Sequence, residues 1–348
     1  MLTLHRRQVV KGMLASGLLV PAGRILAQDR TAIEDGARKE GKLALATSVT
    51  VPDFPKFLAA FTRKYPFLEV TSGLYQAATG TVLARVDAEL KSGTVSFDVM
   101  HIANPAAYLA WARQGLLQPY ESPELTAYPP EAYNRGFWTT VRGVGVMLAY
   151  NKNILAAEKA PTGWRDLLKP EFNRKKLVIQ NAASGTWLTA VYVLERALGL
   201  DYMKKLAAQS LILTSGSAQQ IDMLNRGEAL VAAGIDHTVL FTEATQRAGI
   251  VAVYPVEGVP LSASPVAILK GAPHPNAARL FVDYILSREG QQIFVSEVMK
   301  NYSLRKDMET LPGQKPLSDI KPLTPTDLAD YEKFVASFPD HYNELFKS

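Results

Sequence analysis

The stretch Lys176 to Leu200 constrains the fold most. Leu177-Val178-Ile179 is a short apolar run that reads as a buried strand. It stops at Asn181-Ala182-Ala183-Ser184-Gly185-Thr186. A helical pattern follows, with Trp187, Val191, Leu194 and Leu198 spaced so that they share one face. Ser184 and Thr186 are candidate N-caps, and Gly185 lets the backbone come close to a ligand. A strand feeding a small, hydroxyl-rich loop at a helix start presents free N–H groups and the positive end of the helix dipole, which suits an anionic or strongly polar ligand.

Two further stretches share this arrangement. Thr79-Gly80-Thr81 precedes VLARVDAELKSG, and Leu213-Thr214-Ser215-Gly216-Ser217 precedes AQQIDMLNRGEA. The helical patterns differ, so these are not sequence repeats. They predict a cleft lined by helix N-termini.

The remainder of the chain alternates strand and helix. Helices are expected over Thr31–Glu40, Phe54–Tyr65 and from Tyr108 to Gly115. Strands are expected at Leu43–Ala46, from Leu68-Glu69-Val70 leading on to Tyr75, and at Phe97–Ile102. Such alternation predicts an α/β protein with parallel, doubly wound sheets, whose ligands sit beyond the strand C-termini. That rule selects Ser48, Thr79, Gly80, Thr81, His101 and Asn104 as one wall of a site, with Ser184, Gly185, Thr186, Asp236 and His237 as the other. Asp236 and His237 follow an apolar strand at Leu230–Ile235. With His101 they lack the i,i+4 spacing of a metal-binding helix, so they are read as ligand contacts, with no metal and no cofactor. Trp138 to Tyr150 reads as an extended crossover between lobes, and Ser264–Leu269 as a strand returning to the first lobe. Pro312 to Pro325 reads as an exposed, proline-rich strap, with Asp327 to Phe346 a closing helix. Arg135 and Arg142 flank the crossover; an Arg fork suits phosphate or carboxylate, but each reads first as solvated. Tyr133, Trp138 and Glu257 are weaker contact candidates.

The first residues read as an address. Arg6, Arg7 and Lys11 precede an apolar run from Gly12 to Val20 closed by Pro21, and Ala27 suits cleavage before Gln28. The Arg6-Arg7 pair resembles a twin-arginine signal, although His5 and Val9-Val10 depart from that pattern. The run is too short to span a bilayer, and no Cys follows to carry a lipid. The expected location is the periplasm. Loss of residues 1–27 removes four basic residues (Arg6, Arg7, Lys11, Arg24) and no acid, so the net charge falls from +5 to +1. The basic balance therefore gives no reason to expect a nucleic-acid partner. The absence of Cys excludes disulfides, thiolate chemistry and Cys-based zinc sites. No Gly-x-Ser-x-Gly elbow, P-loop or His-Glu-x-x-His helix points to an enzyme.

Three runs carry a family resemblance: PTGWRDLLKPEFNRKKLVIQNAASGT, LTSGSAQQIDMLNRGEALVAAG and VYPVEGVPLSASPVAILKGAPHPNAARLFVDYILSREGQ. They resemble periplasmic solute-binding proteins of ATP-driven importers, type 2 fold, in the group named for its ferric-ion-binding members. The resemblance implies two α/β lobes joined by two extended crossovers and closing on one ligand. Residues 28–138 with 262–311 would form lobe 1, residues 139–261 lobe 2, and residues 312–348 a C-terminal strap and helix. It also implies a monomer with a membrane permease and an ATPase as partners. Ferric members carry a Tyr-Tyr pair just after the strand equivalent to Leu230–Ile235. Here that place reads Gly234-Ile235-Asp236-His237-Thr238. The expected ligand is therefore a small organic anion, a phosphate or phosphonate ester or a carboxylate. The alternatives are a ferric-iron import protein, and a secreted α/β enzyme or ligand-loaded sensor partner.

Overall fold

The structure is a computed structural model that describes residues 30–346 except 135 and 183. The leader read at residues 1–27 and the candidate Arg135 lie outside the described residues. The first part of the chain runs α1 (Arg30–Glu40), β1 (Leu45–Thr47), α2 (Phe54–Lys64), β2 (Leu74–Gln76), α3 (Thr79–Ser92), β3 (Val99–His101) and α4 (Pro105–Arg113). Next come β4 (Tyr133–Asn134), β5 (Trp138–Asn151), β6 (Leu177–Gln180), α5 (Gly185–Leu198), α6 (Leu200–Ala207), β7 (Ile212–Thr214) and α7 (Ser217–Arg226). After these follow β8 (Val231–Asp236), α8 (His237–Leu240), α9 (Glu243–Arg247), β9 (Ile250–Val253) and β10 (Val259–Ile268). The chain closes through α10 (Pro275–Leu286), α11 (Arg288–Gln291), β11 (Tyr302–Ser303), β12 (Pro322–Leu323) and α12 (Leu328–Phe346).

The sheet order is β2-β1-β3-β10-β5-β8-β6-β7. The outer trios β2-β1-β3 and β8-β6-β7 are parallel, as strand–helix alternation requires. β10 and β5 are antiparallel to each other, β10 is antiparallel to β3 and β5 to β8, so they carry the chain between the two halves. The expected lobe boundaries at 138/139 and 261/262 thus fall on these two strands. Helices cover both faces of each half. Phe57, Phe61, Phe281 and Tyr284 pack one face of the first half, and Met100, Tyr108 and Trp111 the other. In the second half, Trp164, Trp187 and Leu194 pack one face, and Leu224, Ile235 and Leu240 the other.

Several elements differ from the sequence reading. The second strand is Leu74–Gln76; the expected Leu68–Val70 contributes only an isolated bridge, Lys42 to Glu69. Leu68 and Val70 are buried, so the apolar signal was real, but the turn at Thr71–Gly73 separates it from the paired residues. β10 begins at Val259, earlier than the expected Ser264.

Helix α12 ties the halves together. Tyr331 Oη lies 2.8 Å from Thr189 Oγ1 of α5, and Tyr342 Oη donates to the Gln180 carbonyl at 2.6 Å. Arg113 of α4 pairs with Glu332 of the same helix. Gly234, in β8, has φ +73°, and a Cβ there would lie 2.5 Å from the buried Trp187 ring. Both the backbone conformation and the ring demand glycine. Gly234→Ala is expected to cost about 2–4 kcal/mol in a urea titration. Gly80→Ala, which meets nothing within 4 Å, should change stability by less than about 1 kcal/mol.

Candidate functional site

Pairing register brings the first wall together. Thr47 is opposite Gln76 on one side and His101 on the other, so three strand ends lie level. The loops that leave them are linked: Ser48 N–H donates to the His101 carbonyl at 3.1 Å, and Ala77 N–H to the Thr47 carbonyl at 3.3 Å. Thr79, Gly80 and Thr81 form the first turn of α3, whose N-cap is Ala78 with no side-chain cap. Asn104 caps α4, its Oδ1 accepting from Ala107 N–H at 3.3 Å. His101 is not on the surface of this wall. It is buried, with Nδ1 3.3 Å from Thr47 Oγ1 and Nε2 3.1 Å from Ser264 Oγ. Burial, and then the nearby Arg142 charge, hold its pKa well below the ordinary value, so it is a neutral structural link.

The second wall forms in the same way. Ser184 caps α5, accepting from Trp187 N–H at 3.2 Å, and Ser184 Oγ lies 3.1 Å from Thr186 Oγ1. Gly185 is exposed, and a Cβ on it would lie 3.9 Å from the Ala103 carbonyl oxygen of the first wall. The two walls therefore approach each other at Ala103 and Gly185. Ser217, at the start of α7, accepts from Asp236 N–H at 3.0 Å and from Gln180 Nε2 at 3.2 Å, drawing the ends of β6 and β8 together.

Asp236 is the electrostatic centre of this wall. Thr186 hydrogen-bonds its carboxyl, while Oδ1 is sealed from solvent and has no partner among the described residues. Burial raises the carboxyl pKa to about 6; Thr186 and Arg142 pull it back only in part. Arg142 corrects the sequence reading, which left it solvated. It is 6% exposed, donates from Nη1 to Asn301 Oδ1 at 2.9 Å, and leaves Nε without a partner among the described residues. Burial lowers its pKa to about 10, opposed by Asp236, so it remains charged at neutral pH. No ion pair within 4.0 Å joins Arg142 and Asp236 among the described residues, so each keeps hydrogen-bonding capacity free.

His237 is fully buried, stacked on Tyr302 at 4.6 Å. Gly145 N–H donates to Nδ1 at 2.8 Å, so the neutral ring carries its proton on Nε2. Burial lowers its pKa to about 3. Glu257 turns away from the site; its carboxylate accepts from Trp164 and Arg165 N–H groups, at 2.9 Å each. Tyr133 and Trp138 line a different cavity, beneath the segment after residue 300. The sequence reading missed Ser217 as a link and Arg142 as a buried charge. The signal for Arg142 was present: it is the sole charge in the run Trp138 to Asn151. Among the described residues, no three His, Cys, Asp or Glu side chains group so as to hold a metal ion.

Two half-sheets joined by paired antiparallel crossover strands, with helices on both faces of each, define the two-lobed binding-protein architecture. Residues 94–319 match the family of bacterial extracellular solute-binding proteins, and the chain belongs to that family. An uncharacterized protein of Haemophilus influenzae is 26% identical over 275 residues, covering 75% of this chain and 78% of its own. A probable ABC transporter periplasmic-binding protein of Sinorhizobium fredii is 26% identical over 187 residues, 49% of this chain and 51% of its own. Among solved structures, iron-bound HitA of Pseudomonas aeruginosa superposes with a TM-score of 0.74 at 23% identity, covering 86% of this chain and 98% of that one. AfuA of Actinobacillus pleuropneumoniae, with fructose-6-phosphate bound, gives 0.73 at 24% identity, covering 88% and 99%. The fold is thus that of the ferric-ion-binding-protein-like solute-binding proteins. No helix among the described residues is long and apolar enough to cross a membrane.

The raised pKa of Asp236 has a consequence for stability. In the unfolded chain the carboxyl ionises near its ordinary value of 3.8; in the fold it stays protonated until about pH 6. The native state therefore binds more protons between these values, and this residue makes the fold less stable as pH rises through the window. The shift of about two units corresponds to about 3 kcal/mol. Urea titrations from pH 4 to 7 should show the unmodified chain losing stability relative to Asp236→Asn by up to that amount; parallel profiles would contradict the buried, protonatable carboxyl.

Proposed function

We propose that this chain is the non-catalytic solute-capture subunit of an ATP-driven importer, taking a small, polar, anionic organic solute between its lobes. The moving units would be residues 28–138 with 262–311, and residues 139–261. A membrane permease and an ATPase would be its partners, and the periplasm its location. Family membership supports the class, and the Sinorhizobium fredii relative is named for such a system.

The observation that carries the ligand reading is the junction of α5 with Asp236. There a helix N-terminus, the Thr186 hydroxyl and the Asp236 carboxyl share one wall, and Gly185 approaches Ala103, the residue before the α4 cap. N–H groups at helix starts suit a phosphate or carboxylate. A carboxyl with an unfilled acceptor suits a hydroxyl of the same molecule. A phosphorylated polyol or hydroxy acid satisfies both, and AfuA, of the same fold, was solved with a sugar phosphate. The contact set is Ser48, Thr79, Gly80, Thr81, Asn104, Ser184, Gly185, Thr186 and Asp236, with Arg142 behind it. His101 and His237, which are buried, support the walls from inside.

Iron-bound HitA keeps a ferric reading in view. In this chain, however, the place of the ferric members' tyrosine pair is taken by Asp236 and His237, and the Nδ1 of His237 already accepts from Gly145. A thermal-shift panel of sugar phosphates, aminoalkylphosphonates, di- and tricarboxylates, polyamines and ferric citrate tests the reading. A ligand at about 100 times its Kd adds roughly 2.7 kcal/mol, or several degrees in the midpoint. Shifts restricted to phosphorylated or carboxylated compounds, and lost in Asp236→Ala, are expected. A shift with ferric citrate and not with citrate alone would replace the organic-anion reading with iron.

A further inference from the structure

A cavity of about 1150 Å³ lies on the side of the crossover strands covered by the chain after residue 300. Its size matches the larger small-molecule sites. Trp138 and Thr140 of β5 and Leu261 and Ala263 of β10 contribute to one side, and Leu317 and Pro322 of the C-terminal segment to another. None of the cleft residues proposed to hold the solute lines it.

The C-terminal segment is held over the cavity by specific contacts. β12 pairs with β10, with Val259 opposite Pro322 and Pro260 opposite Leu323. Lys315 N–H donates to Tyr254 Oη at 2.9 Å, and Gln314 Nε2 donates to the Lys300 carbonyl at 3.3 Å.

The chemistry of the lining defines an occupant. The buried polar side chains on it, Thr140, Thr189, Asn301 and Gln314, are all uncharged. Of the charged residues that reach it, Arg305 is paired with Glu124 and Asp307, while Lys306 and Glu309 are exposed and of opposite sign. Gln314 Oε1 and Trp138 Nε1 have no hydrogen-bond partner among the described residues, but both atoms are sealed off rather than open to the cavity. We infer that this cavity is a second binding site, for an uncharged, largely apolar small molecule. An anion is disfavoured there, since no unpaired buried cation lines the cavity among the described residues. The occupant contacts both crossover strands, and Pro105 and Thr189 bring the site within a helical turn of the cleft residues Asn104 and Gly185. It therefore acts on the hinge without entering the cleft.

The probe is 2-naphthol, neutral at pH 7, titrated into the purified full chain by calorimetry and tryptophan fluorescence. One saturable site with a Kd below ~1 mM is expected. Trp138→Phe should reduce the fluorescence change while calorimetric binding persists. Ala263→Trp and Thr140→Phe, which fill the cavity from different strands, should each weaken binding about tenfold or more, and 2-naphthalenesulfonate should bind about tenfold more weakly than 2-naphthol. Asp236→Ala should leave 2-naphthol binding unchanged, which separates this site from the solute cleft. Hydrogen exchange on the unmodified chain localises the probe should a filling variant misfold: protection within 138–145, 259–265 and 300–328 supports the site. No saturable binding, undiminished binding in a folded filling variant, or protection confined to the helix starts of the cleft would overturn it.

Discussion

The antiparallel pairing of β5 with β10 is the interaction on which the rest depends. It crosses from one parallel half-sheet to the other, with Leu261 opposite Gly145 and Ser264 opposite Arg142. Because its backbone groups are mutually satisfied, the two halves meet without an exposed sheet edge between them. The pairing also fixes chemistry. It holds Arg142 beside Ser264, whose hydroxyl meets His101, and it carries β5 on to Val146, opposite Asp236. A buried cation on the crossover strand β5 and a buried carboxyl at the end of its partner β8 thereby share one neighbourhood without an ion pair within 4.0 Å among the described residues. Such an arrangement costs stability that a closed pair would recover in part, a common cost of a binding site.

The walls of the cleft are made by register. Level strand ends send three loops into helix starts on one side, and β6, β7 and β8 do the same on the other. Each helix start solves its capping differently. Ser184 and Asn104 use side chains, Ala78 offers none, and at α7 the position belongs to Gly216 while Ser217 turns to Asp236 and Gln180. The uncapped start of α3 and the exposed Gly185 leave backbone donors open to a ligand, whereas the capped starts are preorganised.

Much of the fold was legible because the periods were clean. The strand–loop–helix unit at Leu177–Leu198 and the helix at Pro275–Leu286 appear with nearly the expected bounds. The short helices α8 and α9 gave no readable period, being one turn each. Buried apolar residues at Leu68 and Val70 mark the approach to the second strand, but pairing, which is non-local, begins only at Leu74, after the turn at Thr71–Gly73. The strand ends and the hydroxyl-rich loops at the helix starts were legible, because those depend on local pattern. The fate of individual titratable side chains was not. His101 and His237 sit in the right segments, yet tertiary packing turns both inward, and Arg142 is buried by strands distant in sequence. The cavity beneath the C-terminal segment had no sequence signature at all, since its lining is drawn from segments some two hundred residues apart.

The proposed function requires that one solute be held by helix starts from both halves at once. Hydrogen–deuterium exchange on the free chain and on the chain saturated with the organic anion giving the largest thermal shift tests this most directly. The account predicts slowed exchange at 79–82, 104–107 and 184–188 together, with 236–238 following. Slowing in one half only, or at none of these helix starts, would contradict it.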